Sequence, residues 1–338
     1  MSVQLTIIGL GQIGASFGLA LEEYKGQILR MGHDPEPTIA VKAQQKKAID
    51  RISYNLPASV ENADMILIDL PMNQMHDTLK IISPCLKDKS VVMDTNPIKR
   101  GIVEWMKELL PLGRYYVGLV PAINPHYLEL MDTSIDSARR DLFVKGSMGI
   151  AAPAGTDGTA IKLAIDLVTL LGANVVITDF GELDGIMSRL QIMPQLNTAV
   201  LSDVMMDSPG WKEGQKMAGP IFAQSTSLIG YEGEASSLLE NIFMNRENVF
   251  ILIDEMIAKL EEVKARITGE EKEAILEWLE KIRSERSLWW QERSKGNWRA
   301  GELEKIGVPP VSVGRRLFGN LGKLFGMQKA SKDNPKSK

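Results

Sequence analysis

The first half of the chain alternates short apolar runs with stretches of helical periodicity. Most of the runs are bounded by Gly, Pro, Asp or Asn, and most are followed by a helical pattern. This alternation is typical of a parallel β-sheet flanked by helices. The predicted strands are Gln4–Ile8, Ile28–Gly32, Met65–Leu70, Ser90–Asp94, Tyr115–Val120, Ser147–Ala151 and Asn174–Thr178.

After Gly181 the pattern is helical alone. Apolar residues such as Ile275, Leu279 and Ile282 recur three or four positions apart, which is the spacing of one helix face. The sequence therefore predicts an α/β fold with one domain over residues 1–179, an all-helical domain over 180–305 and a basic flexible tail over 306–338. The predicted helices are Glu182–Met206, Glu234–Met244, Asn245–Ile267 and Glu270–Ser294.

Composition indicates a globular protein of a reducing compartment. The 338 residues are 44% hydrophobic, which is enough chain for two packed domains. The single Cys85 cannot form an internal disulfide, and the three histidines show no zinc-site spacing, so no metal is predicted. The first residues do not resemble a signal peptide, and no apolar run reaches membrane-spanning length, so a cytoplasmic location is expected.

Charge is unevenly distributed along the chain. The net charge is −4, whereas residues 309–338 alone carry +6, so the rest of the chain carries −10. An acidic body with a basic tail is not typical of nucleic-acid-binding proteins. In the tail, apolar residues between Leu317 and Phe325 would share one helical face beside basic residues, as in a membrane-surface segment. Its glycines weaken such a helix and favour a disordered tail without membrane contact.

A glycine-rich motif, Gly9-Leu10-Gly11-Gln12-Ile13-Gly14, joins the first predicted strand to a helical pattern. In this context the glycines permit a tight turn, close approach of a pyrophosphate and close packing of helix on strand. Asp34 ends the second predicted strand, 20 residues past Gly14, where a carboxylate can accept hydrogen bonds from ribose hydroxyls. The motif therefore predicts a Rossmann-type domain that binds NAD rather than NADP; the alternative is a glycine turn without a ligand.

Further segments follow this motif in a set order. They include Ala63–Pro71, Val92–Lys99, Leu170–Val176 and Ala218–Thr226. Together with Gly9–Phe17, they resemble the prephenate and arogenate dehydrogenase family from about residue 3 to 265. The resemblance implies an oxidative decarboxylation in tyrosine biosynthesis, in which hydride passes from a ring carbinol to the nicotinamide of the cofactor.

The resemblance also implies partners and contacts. The substrate is expected to be a small carboxylic acid, and the helical domain is expected to build a homodimer. Leu70 and Pro71 are expected to contact the cofactor. His76 follows them, near the expected position of the nicotinamide, but a capping or surface histidine is the favoured interpretation.

The sequence departs from the family where catalytic residues are expected. Val120 takes the place of the histidine that accepts the substrate's proton, and Pro97 that of a serine. Ser227 replaces the arginine that would hold a substrate carboxylate, and a stretch with two histidines becomes Gln191-Ile-Met-Pro-Gln195. The substrate or the catalysis itself is therefore expected to differ.

Three residues are the remaining catalytic candidates: His126, Asn124 and Lys99. Asn124, like Asn96, precedes a proline, and Asn followed by Pro is also a common start of a helix. His126 lies six residues past the expected base, so its catalytic role requires a different loop path. Lys99 keeps the family position, although a lone lysine on a helix is usually solvated.

One predicted helix carries a polar, almost uncharged stripe. Exposed helix faces usually carry Lys and Glu, so the stripe favours a buried surface at a dimer contact or facing the cofactor; an ordinary half-exposed face is the alternative. Pro194 is expected to kink this helix. The stripe consists of Asp184, Ser188, Gln191, Gln195, Thr198 and Ser202.

Two functions remain open from the sequence. The first is an NAD-dependent oxidoreductase of the prephenate dehydrogenase type with a shifted substrate, which the intact nucleotide motif favours. The second is a catalytically silent NAD-binding sensor or partner subunit, which the substitutions favour. Fold alone cannot decide between them, because sites rather than folds carry function.

Overall fold

The computed structural model describes residues 3–130, 132–229 and 234–296, so the predicted tail lies outside the described residues. A single sheet of eight strands forms its centre, in the order β3-β2-β1-β4-β5-β6-β7-β8 once the strands are numbered along the chain. The strands are β1 (Val3–Ile8), β2 (Ile28–His33), β3 (Arg51–Ile52), β4 (Met65–Ile68), β5 (Val91–Asp94), β6 (Tyr115–Ala122), β7 (Ser147–Ala151) and β8 (Asn174–Ile177).

The sheet is mixed, so the prediction of a wholly parallel sheet was wrong at one junction. β6 and β7 run antiparallel, with Gly118 opposite Ala151, while the other neighbouring strands are parallel. Two neighbouring parallel strands need a crossover element, because the chain must return to the end of the sheet at which the first strand began. The connection from β6 to β7 instead contains the short 3₁₀ turns Pro125–Tyr127 and Ile135–Ser137, and it re-enters the sheet at the edge where β6 ended.

Helices cover both faces of the sheet, and the central strands β1, β4 and β5 are buried on both sides. In β4, Met65 and Leu67 belong to one apolar core while Ile66 and Ile68 belong to the other. This is the period of two expected of a strand, and burial on both faces explains why the strands read as continuous apolar runs. The helices of this sheet half (residues 3–177) are α1 (Gln12–Ala20), α2 (Pro37–Gln45), α3 (Leu56–Val60), α4 (Met72–Ile82), α5 (Arg100–Leu109) and α6 (Gly158–Leu170).

The described part of the helical half (residues 180–296) contains no strand, as predicted. The predicted helix over 182–206 is one helical stretch interrupted by a π-helical turn, Ser188–Ile192. Pro194 follows this turn; it lacks an N–H and clashes with the carbonyl four residues earlier, which accounts for the irregularity. The helices are α7 (Phe180–Met187), α8 (Met193–Met206), α9 (Trp211–Met217), α10 (Pro220–Ser225), α11 (Glu234–Met244), α12 (Arg246–Thr268) and α13 (Lys272–Lys295).

The two halves meet along α7. Phe180 stacks on Tyr116 of β6 with ring centroids 5.9 Å apart, and Asp184 caps the first turn of α5. Within the described ranges, every helix is too short or too polar to cross a lipid bilayer.

Candidate functional site

The glycine-rich turn, Gly9–Gly14, connects β1 to α1 at the carboxyl edge of the parallel strands. Gly9 has φ +90°, and a Cβ there would lie 2.0 Å from the carbonyl oxygen of Asp69. A Cβ on Gly14 would lie 2.1 Å from the carbonyl oxygen of Gly9. Both positions therefore require glycine, and the turn is as tight as the sequence motif predicts.

The backbone amides of this turn point towards acceptors around it. The amide of Leu10 donates to Asp34 Oδ2 at 2.8 Å, and that of Gly14 donates to Asp69 Oδ2 at 2.7 Å. The amide of Gln12 donates to the carbonyl of Thr133 at 2.9 Å. Unpaired amides at a helix N-terminus, together with the helix dipole, attract anions. The first turn of α1 is therefore a candidate anion site, although the amides of Gln12 and Gly14 are bonded within the protein.

Asp34 lies where the sequence placed it, directly after β2. Its Oδ1 accepts a hydrogen bond from the amide of Glu36 at 2.9 Å, while its Oδ2 accepts the one from Leu10. Burial raises the pKa of this carboxyl, and the two backbone hydrogen bonds oppose that rise. Carboxylate oxygens have further lone pairs, so the half-buried Asp34 can still accept bonds from a ligand hydroxyl.

Leu70 and Pro71 connect β4 to α4. Leu70 is buried in the core between the sheet and α4, and its carbonyl accepts a hydrogen bond from Asn96 Nδ2 at 3.1 Å. Pro71 is exposed at the N-cap of α4. His76, in the second turn of α4, packs its ring on Trp105 with centroids 5.0 Å apart, so it belongs to the α4–α5 surface.

Sequence analysis missed Asp69, which lies between β4 and Leu70. Its carboxylate reaches both the glycine-rich turn and Thr95, whose Oγ1 donates to Oδ1 at 2.5 Å. Burial raises the pKa of this carboxyl, against the hydrogen bonds from Thr95 and Gly14. The available signal was an acidic residue at the end of an otherwise apolar strand, in register with the glycine motif.

Lys99 is buried, so the expectation of a solvated lysine was wrong. Its Nζ donates to Asp94 Oδ1 at 2.6 Å and to the carbonyl of Leu119 at 2.8 Å, and both charged side chains are 0% exposed. Tyr116 completes the cluster by donating its hydroxyl to Asp94 Oδ2 at 2.7 Å. Burial lowers the pKa of Lys99 and raises that of Tyr116 well above its usual value. Lys99 is thus enclosed in an ion pair that holds the end of β5 against β6.

Asn124 is buried and caps a short turn. Its Oδ1 accepts from the amide of His126 at 3.0 Å, and its Nδ2 donates to the carbonyl of Asp141 at 3.0 Å. His126 is exposed beside the ring of Tyr127. Asn96 does not cap a helix as expected, because α5 begins only at Arg100 and the Asn96 side chain bonds to Leu70 instead.

The position of the expected proton acceptor lies in an apolar contact between the two halves. Val120 is buried against Ala151 and Leu183, with Phe180 and Met187 packed around them. Ser227, at the expected anion-binding position, donates its hydroxyl to the carbonyl of Gln224 within its own turn.

The polar stripe on α7 and α8 is mostly buried. Asp184, Ser188, Thr198 and Ser202 are buried, while Gln191 and Gln195 are half-buried. Asp184 accepts hydrogen bonds from the amides of Lys99 at 2.7 Å and Arg100 at 3.0 Å, and burial raises its pKa. This part of the stripe therefore serves an internal contact with α5, which neither the dimer nor the cofactor interpretation anticipated.

The chain is similar in sequence to known dehydrogenases. A family model described as prephenate dehydrogenase, nucleotide-binding domain, matches residues 17–177. The match covers most of the sheet half and begins after the glycine-rich turn. A curated relative, the cyclohexadienyl dehydrogenase of Zymomonas mobilis subsp. mobilis, is 21% identical over 281 residues, which cover 81% of this chain and 91% of the relative.

Two solved structures share the fold over most of their length. The prephenate dehydrogenase of Aquifex aeolicus in complex with hydroxyphenyl propionate and NAD⁺ has a TM-score of 0.73 at 20% identity, covering 85% of this chain and 98% of that one. The arogenate dehydrogenase of Synechocystis has a TM-score of 0.67 at 19% identity, covering 85% and 100%. At such identities the likeness establishes the architecture.

Proposed function

Because this chain belongs to the prephenate dehydrogenase family, we propose that it is an NAD-dependent oxidoreductase acting on a small carboxylic acid. The observation that carries the proposal is the glycine-rich turn with Asp34 bonded to it. An anion-binding helix terminus beside a carboxylate suits the pyrophosphate and ribose of a dinucleotide. NAD, when bound, would supply a hydride acceptor.

The proposal assigns each residue of the site a role. The amides of the turn hold the pyrophosphate, Asp34 accepts the ribose hydroxyls and repels a 2′-phosphate, and the β4–α4 junction flanks the cofactor. The binding residues are Gly9, Leu10, Gly11, Gln12, Ile13, Gly14, Asp34, Leu70 and Pro71.

Titration calorimetry with NAD⁺ and NADP⁺ tests the cofactor assignment. We expect tighter binding of NAD⁺, and Asp34→Ser should reduce the preference because it removes the charge that repels a 2′-phosphate. Glu36→Ser is the matched control, because it removes an exposed carboxylate two residues away. Equal binding of both dinucleotides by the unmodified protein would contradict the assignment.

The substrate is proposed to differ from prephenate and arogenate. The apolar surroundings of Val120 offer no proton acceptor at the family position, and Ser227 offers no cation. Loss of a positioned general base alone lowers a rate by about 10²–10⁴. We expect no turnover of either compound at a rate typical of the family, measured by NADH absorbance, and partial recovery in the Val120→His, Ser227→Arg double variant.

A catalytically silent NAD sensor or partner subunit is the second candidate. The specific observation in its favour is that Val120 is packed into an apolar cluster and Lys99 is buried in an ion pair, so neither side chain offers a free proton acceptor. A panel of small hydroxy and oxo acids with NAD⁺ and NADH separates the candidates. Turnover of any of these acids supports the enzyme, whereas tight nucleotide binding without turnover supports the sensor.

We also propose that the chain divides into two domains between residues 179 and 180 and that the helical half forms a homodimer. Large apolar side chains are exposed along α8, α11, α12 and α13, and exposed apolar area of this kind usually marks an interface. Light scattering at micromolar concentration tests the proposal, and a monomeric mass would refute it.

A further inference from the structure

The Asp69 carboxylate occupies the anion-binding end of α1. Gly14 is the third residue of α1, and its amide donates to Asp69 Oδ2 at 2.7 Å. Thr95 Oγ1 donates to the other oxygen at 2.5 Å. An acidic side chain of the protein therefore binds the helix terminus at which a dinucleotide would place its pyrophosphate.

The elements around Asp69 carry ionisable side chains of both signs. β2 contributes His33 and Arg30, which is paired with Asp50, and is followed by Asp34; β5 contributes Asp94, which is already paired with Lys99. The charges of Asp34 and Asp94 add to burial in raising the pKa of Asp69. The remaining groups lie on neighbouring segments: the carbonyl of Asp132 accepts a hydrogen bond from Gln12, and α4 carries His76, the exposed Asp77 and Lys80 further along. The helix α1 itself has no ionisable side chain.

An ionised Asp69 and a pyrophosphate would compete for the same partial positive charge. The N-terminus of a helix carries roughly half a unit of positive charge, and two anions at it repel each other. A protonated Asp69 would remove the repulsion, keep an oxygen as acceptor for Gly14 and offer an O–H to a phosphate oxygen.

Resting on the proposed dinucleotide site, we propose that the cofactor binds the form of the protein in which Asp69 is protonated, so that binding takes up one proton. Asp69 thereby makes the affinity for the dinucleotide depend on pH. The ligand group that protonated Asp69 recognises is a diphosphate whose oxygen accepts a hydrogen bond.

Fluorescence titration of the full chain with NADH between pH 5.5 and 8.5 tests this inference. The apparent Kd scales inversely with the fraction of competent protein, so it should rise by up to about tenfold per pH unit above the titration of Asp69. Calorimetry in two buffers of different ionisation enthalpy should report uptake of a proton. A flat profile without proton uptake would overturn the inference while leaving the cofactor assignment intact.

Asp69→Asn supplies the matched variant. It keeps an oxygen for Gly14 and cannot ionise, so its Kd should be independent of pH and at least tenfold lower than that of the unmodified protein at pH 8.5. Persistence of the pH dependence in this variant would assign it to another group and overturn the inference. Absence of NADH binding by both proteins at every pH would overturn the cofactor assignment and the inference together.

Two further variants guard against a misfolded Asp69→Asn protein. Thr95→Val removes a hydrogen bond that favours the ionised carboxylate, so the midpoint of the pH profile should move to higher pH. Asp34→Asn should weaken binding but keep the slope, because the proton is taken up at Asp69. An unmoved midpoint in the first, or a lost slope in the second, would contradict the proposal.

Discussion

The two halves of the molecule use their apolar residues differently. Every residue of β4 and β5 is buried. By contrast, α12 and α13 are 23 and 24 residues long, yet the side chains buried in them are Val249, Leu252 and Arg293. The sheet half completes a core of its own, whereas the helical half presents apolar surface to the outside. We infer that the first is a self-sufficient scaffold and the second is built for association.

An exposed stripe on α12 illustrates the difference. Phe250, Ile257, Leu260 and Ile267 are each about half exposed or more. They follow one another at intervals of seven, three and seven residues, so they lie on one face of the helix. A helix that stood alone in water would carry polar residues there.

The largest expected effect concerns the buried ion pair of the sheet half. Lys99→Ala should leave Asp94 buried without its cation, and breaking a buried pair costs about 3–5 kcal/mol. Urea unfolding should therefore show a strongly reduced free energy of unfolding. The double variant Lys99→Met, Asp94→Asn should recover part of the loss, because it removes both charges. A loss below about 1 kcal/mol in the single variant would mean that water reaches the pair.

Two glycine substitutions compare how closely atoms are packed around the backbone in the two halves. Gly9→Ala should cost about 2–4 kcal/mol, since its Cβ would overlap the carbonyl of Asp69 and the residue has positive φ. Gly185→Ala in α7 should instead stabilise the protein by about 0.5–1 kcal/mol, because no atom lies within 4 Å of the added Cβ. Thermal unfolding measures both. Equal effects of the two substitutions would contradict the contrast.

The apolar surface of the helical half should matter through association. Phe250→Glu should weaken the proposed dimer at least tenfold, about 1.4 kcal/mol or more, because it places a charge in an apolar contact. Leu112→Glu is the control, since Leu112 is 95% exposed on a loop of the sheet half. Sedimentation equilibrium measures both. An unchanged dissociation constant for Phe250→Glu would place the interface elsewhere.

Sequence patterns predicted what depends on local spacing. The glycine-rich motif fixed the β1–α1 turn and its acidic neighbour Asp34, because both follow from positions along one βαβ unit. The two-residue β3 was missed since it is too short to show alternation, and the direction of β7 was missed because strand pairing is not local. Lys99 was misread for the same reason, as its burial depends on Asp94 and β6 rather than on its own helix.

The smallest expected effect is the pH dependence of stability that one aspartate in each half produces, Asp50 in the sheet half and Asp184 in the helical half. Asp50 is bonded to Arg30 in the sheet half, and although burial would raise its pKa, the hydrogen bonds and charge of Arg30 lower it below the ordinary value. Its contribution to stability is therefore present above its unfolded pKa of 3.8 and is lost as the pH falls through the folded value. Asp50→Asn should destabilise the protein at neutral pH by an amount that shrinks below pH 3.8.

Asp184, where the helical half meets α5, should show the opposite sign. Burial raises its pKa above 3.8, so the folded state binds more protons than the unfolded state just above that pH, and stability falls as the pH rises through the folded value. Asp184→Asn removes this slope, although it also costs a hydrogen bond to Lys99 or Arg100 at every pH. The free energy of unfolding of the variant minus that of the unmodified protein should therefore increase from pH 4 to 7. Urea titrations at each pH measure this difference, and a decrease would show that the amides of α5, rather than burial, dominate the ionisation of Asp184.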